Sequence, residues 1–246
     1  MRQLLPERVE HLDLYAALRP VDLEVPVLRV NMVASADGAA TDSAGRSGGL
    51  GQAGDLEVFR TLRALADGIL VGAGTVRTEG YGPHRVRPDL AARRALDGRE
   101  LPAAVVVVSR SLDLDFAAPL FARARTPTVV LTCRSAPAER LRLAEAAGRV
   151  VVAGDERVDL RAGITRLRQD FGMTHLLCEG GPLLNTEVLG DGLTDELCLT
   201  LAPALIGGSG PRIVARFRGK IGLELVSVME DAGELYLRYR VRGAAP

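Results

Sequence analysis

The chain has 246 residues, 47% of them apolar, and its 31 Lys and Arg balance its 31 Asp and Glu. That length can bury a large core, zero net charge gives no global field for nucleic acid, and no apolar run approaches the ~20 residues of a membrane span. Residues 1–9 mix Arg2, Glu7 and Arg8 with leucines, which is no secretion signal. Cys133, Cys178 and Cys198 fall in or beside apolar stretches without zinc-type spacing, so buried thiols in a reducing cytoplasm are expected.

From the N-terminus, Val9–Leu18 predicts a short helix ended by Arg19-Pro20, within an extension covering residues 1–26. A single domain is expected over 27–246. Val27–Ala34 reads as a strand running into Ser35-Ala36-Asp37-Gly38. Gly45–Gly54 is too glycine-rich for anything but a loop, and Asp55–Ala66 has the apolar stripe of a helix. Ile69–Val71 is a buried strand that breaks into a turn at Gly72 and Gly74, with Thr75 opening a new segment. Gly80–Pro88 is irregular and Asp89–Leu96 helical.

Ala103–Val108 is β-branched and too apolar for an edge, which predicts a strand covered on both faces. Thr128–Thr132 and Arg149–Val152 are further strands. Between them Ser135-Ala136-Pro137 opens a helix, Ala138–Ala147, that Gly148 ends. Leu160–Phe171 is a helix, His175–Cys178 a strand, and Glu179-Gly180-Gly181 a second glycine turn before a helix from Pro182 to Leu189. Then the grammar changes. Glu196–Leu201 is a strand, Ala202–Arg212 a loop, and Leu223–Glu230 with Glu234–Val241 an antiparallel hairpin around Asp231-Ala232-Gly233. Strand–helix alternation followed by a hairpin argues for one mixed α/β sheet with helices on both faces.

Two strand-to-helix glycine turns suit a ligand that needs close backbone approach and free N–H groups, as a diphosphate does. A Rossmann reading of Gly72-Ala73-Gly74 fails, because Arg77 stands where the third glycine belongs and no acid follows about 20 residues on. His11, His84 and His175 are scattered, so no metal site is expected, and no Gly-x-Ser-x-Gly elbow marks a hydrolase.

Taken in order, Ser35-Ala36-Asp37-Gly38, Leu62-Arg63-Ala64, Asp67–Thr75, Glu179-Gly180-Gly181-Pro182, Thr194-Asp195-Glu196-Leu197 and Ala202-Pro203 form a series. The series resembles the reductase domain of the riboflavin-biosynthesis deaminase/reductase family in a stand-alone form, for the His-x-Glu and Pro-Cys-x-x-Cys of a zinc deaminase are missing. The resemblance implies a dihydrofolate-reductase-like, mostly parallel sheet and an NADPH-dependent reductase that delivers hydride to C1′ of a ribosylamino-pyrimidine phosphate. It also implies a homodimer.

By position, the resemblance puts Gly72, Ala73, Gly74, Thr75, Glu79, Gly180, Gly181, Pro182, Leu183 and Leu184 against the cofactor, and Ser109 and Arg110 at its 2′-phosphate. It puts Ser47, Arg63, Arg85 and Glu179 at the substrate and Asp37 near the reacting sugar carbon, where the proton the reaction needs is expected from Asp37 or an ordered water beside it. Two departures fall in the substrate half. Glu79–Arg85 replaces an Asn-Pro-x-Leu-x-x-Arg segment, and Gly48-Gly49 replaces an aromatic residue. They leave open a reductase for another ring, such as a dihydropterin or dihydrofolate, or a nucleotide-binding protein without turnover.

Overall fold

The structure, a computed structural model, describes residues 1–242, so 243–246 of the expected domain lie outside it. The chain forms β1 (Arg2–Leu5), α1 (Leu14–Leu18), β2 (Val27–Ser35), α2 (Ala53–Leu65), β3 (Gly68–Gly72), α3 (Ala73–Glu79) and α4 (Pro88–Leu96). It continues through β4 (Ala104–Val108), α5 (Pro119–Ala122), β5 (Val129–Thr132), α6 (Ala138–Ala147), β6 (Arg149–Val152), α7 (Leu160–Phe171) and β7 (His175–Cys178). Helix α8 (Pro182–Gly190) and strands β8 (Glu196–Ala202), β9 (Leu223–Asp231) and β10 (Glu234–Val241) complete it.

All ten strands join one sheet in the order β1-β9-β10-β8-β2-β7-β3-β4-β5-β6. The run from β8 to β6 is parallel, and the hairpin β9–β10 adds to it antiparallel. The continuous apolar strands are explained by burial on both faces. In β3, Leu70 packs with α7 and α8 residues such as Leu167 and Val188, while Ile69 packs against Leu62 and Leu65 of α2. In β4, Val106 joins the first face, and Val105 and Val107 join Leu120 and Ala144 on the other. The period-2 alternation of side chains therefore feeds two cores at once.

Helix ends follow local chemistry. Asp159 accepts from the Ala162 N–H at 2.9 Å to start α7, and Gly172, at φ +64°, ends it in the left-handed region. Helix α1 is shorter than expected because Asp13 starts it, its carboxylate accepting from the Ala16 N–H. Strand β1 is a departure from the sequence reading. Its four residues have no strand signature of their own and become a strand by pairing antiparallel with β9. No helix among the described residues is long and apolar enough to cross a membrane.

Candidate active site

Because β2, β3, β4 and β7 run parallel, their C-terminal ends open on one edge of the sheet. Open α/β sheets bind ligands in the crevice outside those ends. The two glycine turns meet there. The Gly72 N–H donates to the Gly180 carbonyl at 2.7 Å, and the Glu179 N–H donates to the Leu70 carbonyl at 2.9 Å. Gly180 sits at φ +78°, and a Cβ on Gly181 would lie 2.7 Å from Thr75 Oγ1. Gly180 is held to glycine by its backbone conformation, and at Gly181 a Cβ would force the Thr75 side chain to move.

A hollow of about 600 Å³ runs over these turns. Gly72, Ala73, Gly74, Thr75 and Glu79 form one wall, Gly181, Pro182, Leu183 and Leu184 another, and Ser109 and Arg110 close the end beyond β4. Gly180 stands behind the wall, bonded to Gly72. The first turns of α3 and α8 start directly at the hollow, so their unpaired N–H groups border it. Ser109 Oγ accepts from the Leu112 N–H at 3.0 Å and keeps its own proton to donate, while Arg110 is exposed beside it.

A second hollow of about 570 Å³ adjoins the first. Met32, Ser47, Thr75, Glu79 and Glu179 line both. At this junction Glu179 Oε1 and Oε2 accept from Arg63 Nε and Nη2, each at 2.7 Å. Tyr81 donates its hydroxyl to Glu179 Oε2 at 2.6 Å. The Glu179 side chain is only 3% exposed, and the Arg63 guanidinium carbon sits 4.0 Å from the Phe59 ring centroid. Burial would lower the Arg63 pKa, but the Glu179 carboxylate beside it wins and leaves it above its ordinary value. Burial, with the Glu179 charge adding to it, holds the Tyr81 hydroxyl well above its usual range.

Ser47 donates from its N–H and from Oγ to Glu79 Oε1, both at 3.1 Å, which ties the glycine-rich loop after β2 to the end of α3. Asp55 also lines the second hollow, its carboxyl pushed up by burial despite a hydrogen bond from Thr200.

The expected residues thus separate into two groups. The cofactor-side set and Ser47, Arg63 and Glu179 come together around the junction. Asp37 and Arg85 do not. Asp37 is exposed and lines neither hollow. Its carboxylate accepts from Ser35 Oγ at 2.5 Å and from the N–H groups of Gly207 and Ile206, and these bonds hold its pKa down to about 2. A carboxyl so placed is ionised at neutral pH and has no proton to give. Arg85 points to a separate hollow beside His84. Arg63 lines the second hollow and gives Nε and Nη2 to Glu179, so of its fork Nη1 is left without a carboxylate partner. Tyr81, Phe59 and Asp55 were not anticipated. Tyr81 had one signal, being a lone aromatic in the Gly-Tyr-Gly-Pro stretch.

The model of the RibD C-terminal domain family matches residues 26–237. A curated relative from Archaeoglobus fulgidus, named 2,5-diamino-6-ribosylamino-4(3H)-pyrimidinone 5′-phosphate reductase, is 34% identical over 74% of this chain and 83% of its own length. A solved structure of a pyrimidine reductase-like protein from Corynebacterium diphtheriae superposes with a TM-score of 0.82 at 27% identity, covering 94% of this chain and 99% of that one. The dihydrofolate reductase of Enterococcus faecalis, at 14% identity, covers 88% of this chain and 96% of its own with a TM-score of 0.50, a likeness of fold alone.

Proposed function

The chain belongs to the RibD C-terminal domain family, and on that premise we propose that it is a reductase that passes hydride from NADPH to C1′ of a ribosylamino-pyrimidine phosphate. The observation that carries this reading is the shared wall. A ligand in the 600 Å³ hollow and another in the 570 Å³ hollow meet at Met32, Ser47, Thr75, Glu79 and Glu179.

The residues of the first hollow fit a dinucleotide. Gly181 leaves room where a Cβ would crowd the Thr75 hydroxyl, the starts of α3 and α8 offer N–H groups to a diphosphate, and Ser109 and Arg110 offer donors to a 2′-phosphate. When bound there, NADPH supplies the hydride. The protein contributes position and field. The Ser47–Glu79 bonds hold the loop after β2 across the junction, and the Arg63–Glu179–Tyr81 cluster gives the substrate hollow a rigid polar wall. Asp37 holds the backbone of Ile206 and Gly207 in place, and we assign it this anchoring role instead of proton delivery. We also propose a homodimer in the cytoplasm. Leu223 and Leu225, 43% and 45% exposed on β9, support a covered apolar face, and three buried free cysteines suit a reducing compartment.

A second reading, reduction of another amino-bearing ring such as a dihydropterin, is favoured by one observation. The second hollow carries Asp55, Glu79 and Glu179 against a single guanidinium already committed to Glu179. Loss of NADPH absorbance at 340 nm should appear with the pyrimidinone phosphate. If it appears only with the pterin, the second reading replaces the first, and if with neither, both fall.

A further inference from the structure

At the other end of the sheet, before the starts of β4 and β5, a hollow of about 330 Å³ is walled by His84, Arg85, Arg94, Arg123 and Arg125, with Glu100 exposed at its side. Most arginines nearby are paired. Arg87 bridges to Glu57 and Asp89, Arg93 to Asp13, and Arg99 to Asp67. Among the described residues, no ion pair of this kind reaches Arg85, Arg94, Arg123 or Arg125.

Arg94 is the sharpest case. It is 4% exposed, and its guanidinium donates to the carbonyls of Leu101, Ala64 and Ala66. Carbonyls take the hydrogens of Nε and Nη1 but do not cancel the charge, so a buried positive charge borders the hollow. His84 adds an independent sign. It is 8% exposed, lines the same hollow, and its Nε2 has no hydrogen-bond partner. Burial, then the charges of Arg63 and Arg94, hold its pKa down to about 3, so the ring is neutral and carries one N–H. A buried polar atom without a partner is unfavourable, and with the ring hydrogen on Nε2 an anion oxygen would accept it.

We propose that this hollow is a second binding site, for a diphosphate or a diphosphate-bearing small molecule, separate from the crevice at the C-terminal strand ends. The planar forks of Arg85, Arg123 and Arg125 suit phosphate oxygens, and the two phosphates of such a group fit a hollow of this size. The site lies on the segment that continues from Tyr81, whose hydroxyl holds Glu179, so an occupant there abuts a chain segment anchored in the reductase site.

The probe is inorganic pyrophosphate, titrated into the full chain while calorimetry and the imidazole NMR signals are followed. The chain has three histidines, so the ring of His84 can be told from those of His11 and His175. Saturable binding should move the His84 signals and leave the other two in place. The Arg123→Ala/Arg125→Ala double variant, altered only at exposed side chains, should bind at least about 10-fold more weakly, and saturating NADPH should leave pyrophosphate binding to the wild type unchanged. Absence of saturable binding at millimolar pyrophosphate overturns the proposal. So does unmoved His84, and so does binding that survives the double variant but is displaced by NADPH, which would put the anion in the crevice.

Discussion

Arg63 and Glu179 hold each other through two parallel hydrogen bonds in a site where the carboxylate is nearly sealed from water. Removing one partner of such a pair leaves an uncompensated buried charge, at a cost of about 3–5 kcal/mol. Arg63→Ala should therefore lose roughly that much stability in urea unfolding, and a loss below about 1 kcal/mol would mean that the pair is worth no more than a surface bridge. Asp37 illustrates the opposite situation, an exposed carboxylate tied to a loop. Its folded pKa, about 2, lies below its ordinary 3.8, so its stabilising contribution is present above 3.8 and is lost as pH falls through 2. Asp37→Asn should flatten the melting temperature against pH across that window. It should also keep kcat within about 3-fold, since a general acid would lose roughly 10²–10⁴-fold. A loss in that larger range would restore Asp37 as the proton source.

At the scale of elements, turn chemistry decides both function and stability. The β9–β10 turn places Ala232 at φ +50° and Gly233 at φ +87°, the two positive φ values of a tight hairpin. An L-residue with a Cβ is strained there by about 1–2 kcal/mol, so Ala232→Gly should raise the melting temperature by a few degrees. An unchanged or lower value would show that lost chain entropy cancels the relief. The strands and most helices were legible because continuous β-branched runs, capping residues and glycine stops are local signals. Val105–Val108 and Asp159–Gly172 needed nothing from the rest of the chain. Strand β1 and helix α3 were not legible. The first exists through β9, and the second opens at Ala73 inside what reads as a glycine turn. The start of α2 was equally hidden. The buried carboxylate of Glu234, from the far end of the sequence, accepts from the N–H groups of Gln52 and Asp55 and caps the helix that carries Arg63. The glycine turns revealed the cofactor side, whereas the substrate side depended on side chains brought in from α2, the loop after β2 and the stretch after α3.

For the whole molecule, the parallel half of the sheet gathers the strand ends into one crevice, and the antiparallel half leaves leucines of β9 exposed. Light scattering at micromolar concentration should give the mass of a dimer, and a monomer would leave that apolar face without its proposed partner. The central claim is that two hollows meet so closely that hydride passes directly between their occupants. The most direct measurement uses NADPH carrying deuterium at both C4 positions, with the pyrimidinone phosphate as acceptor and mass spectrometry of the product. The account predicts one deuterium in the product, bound at C1′. A reduced product without deuterium would contradict it, because the reducing hydrogen would then have come by another route than the shared wall at Glu79 and Glu179.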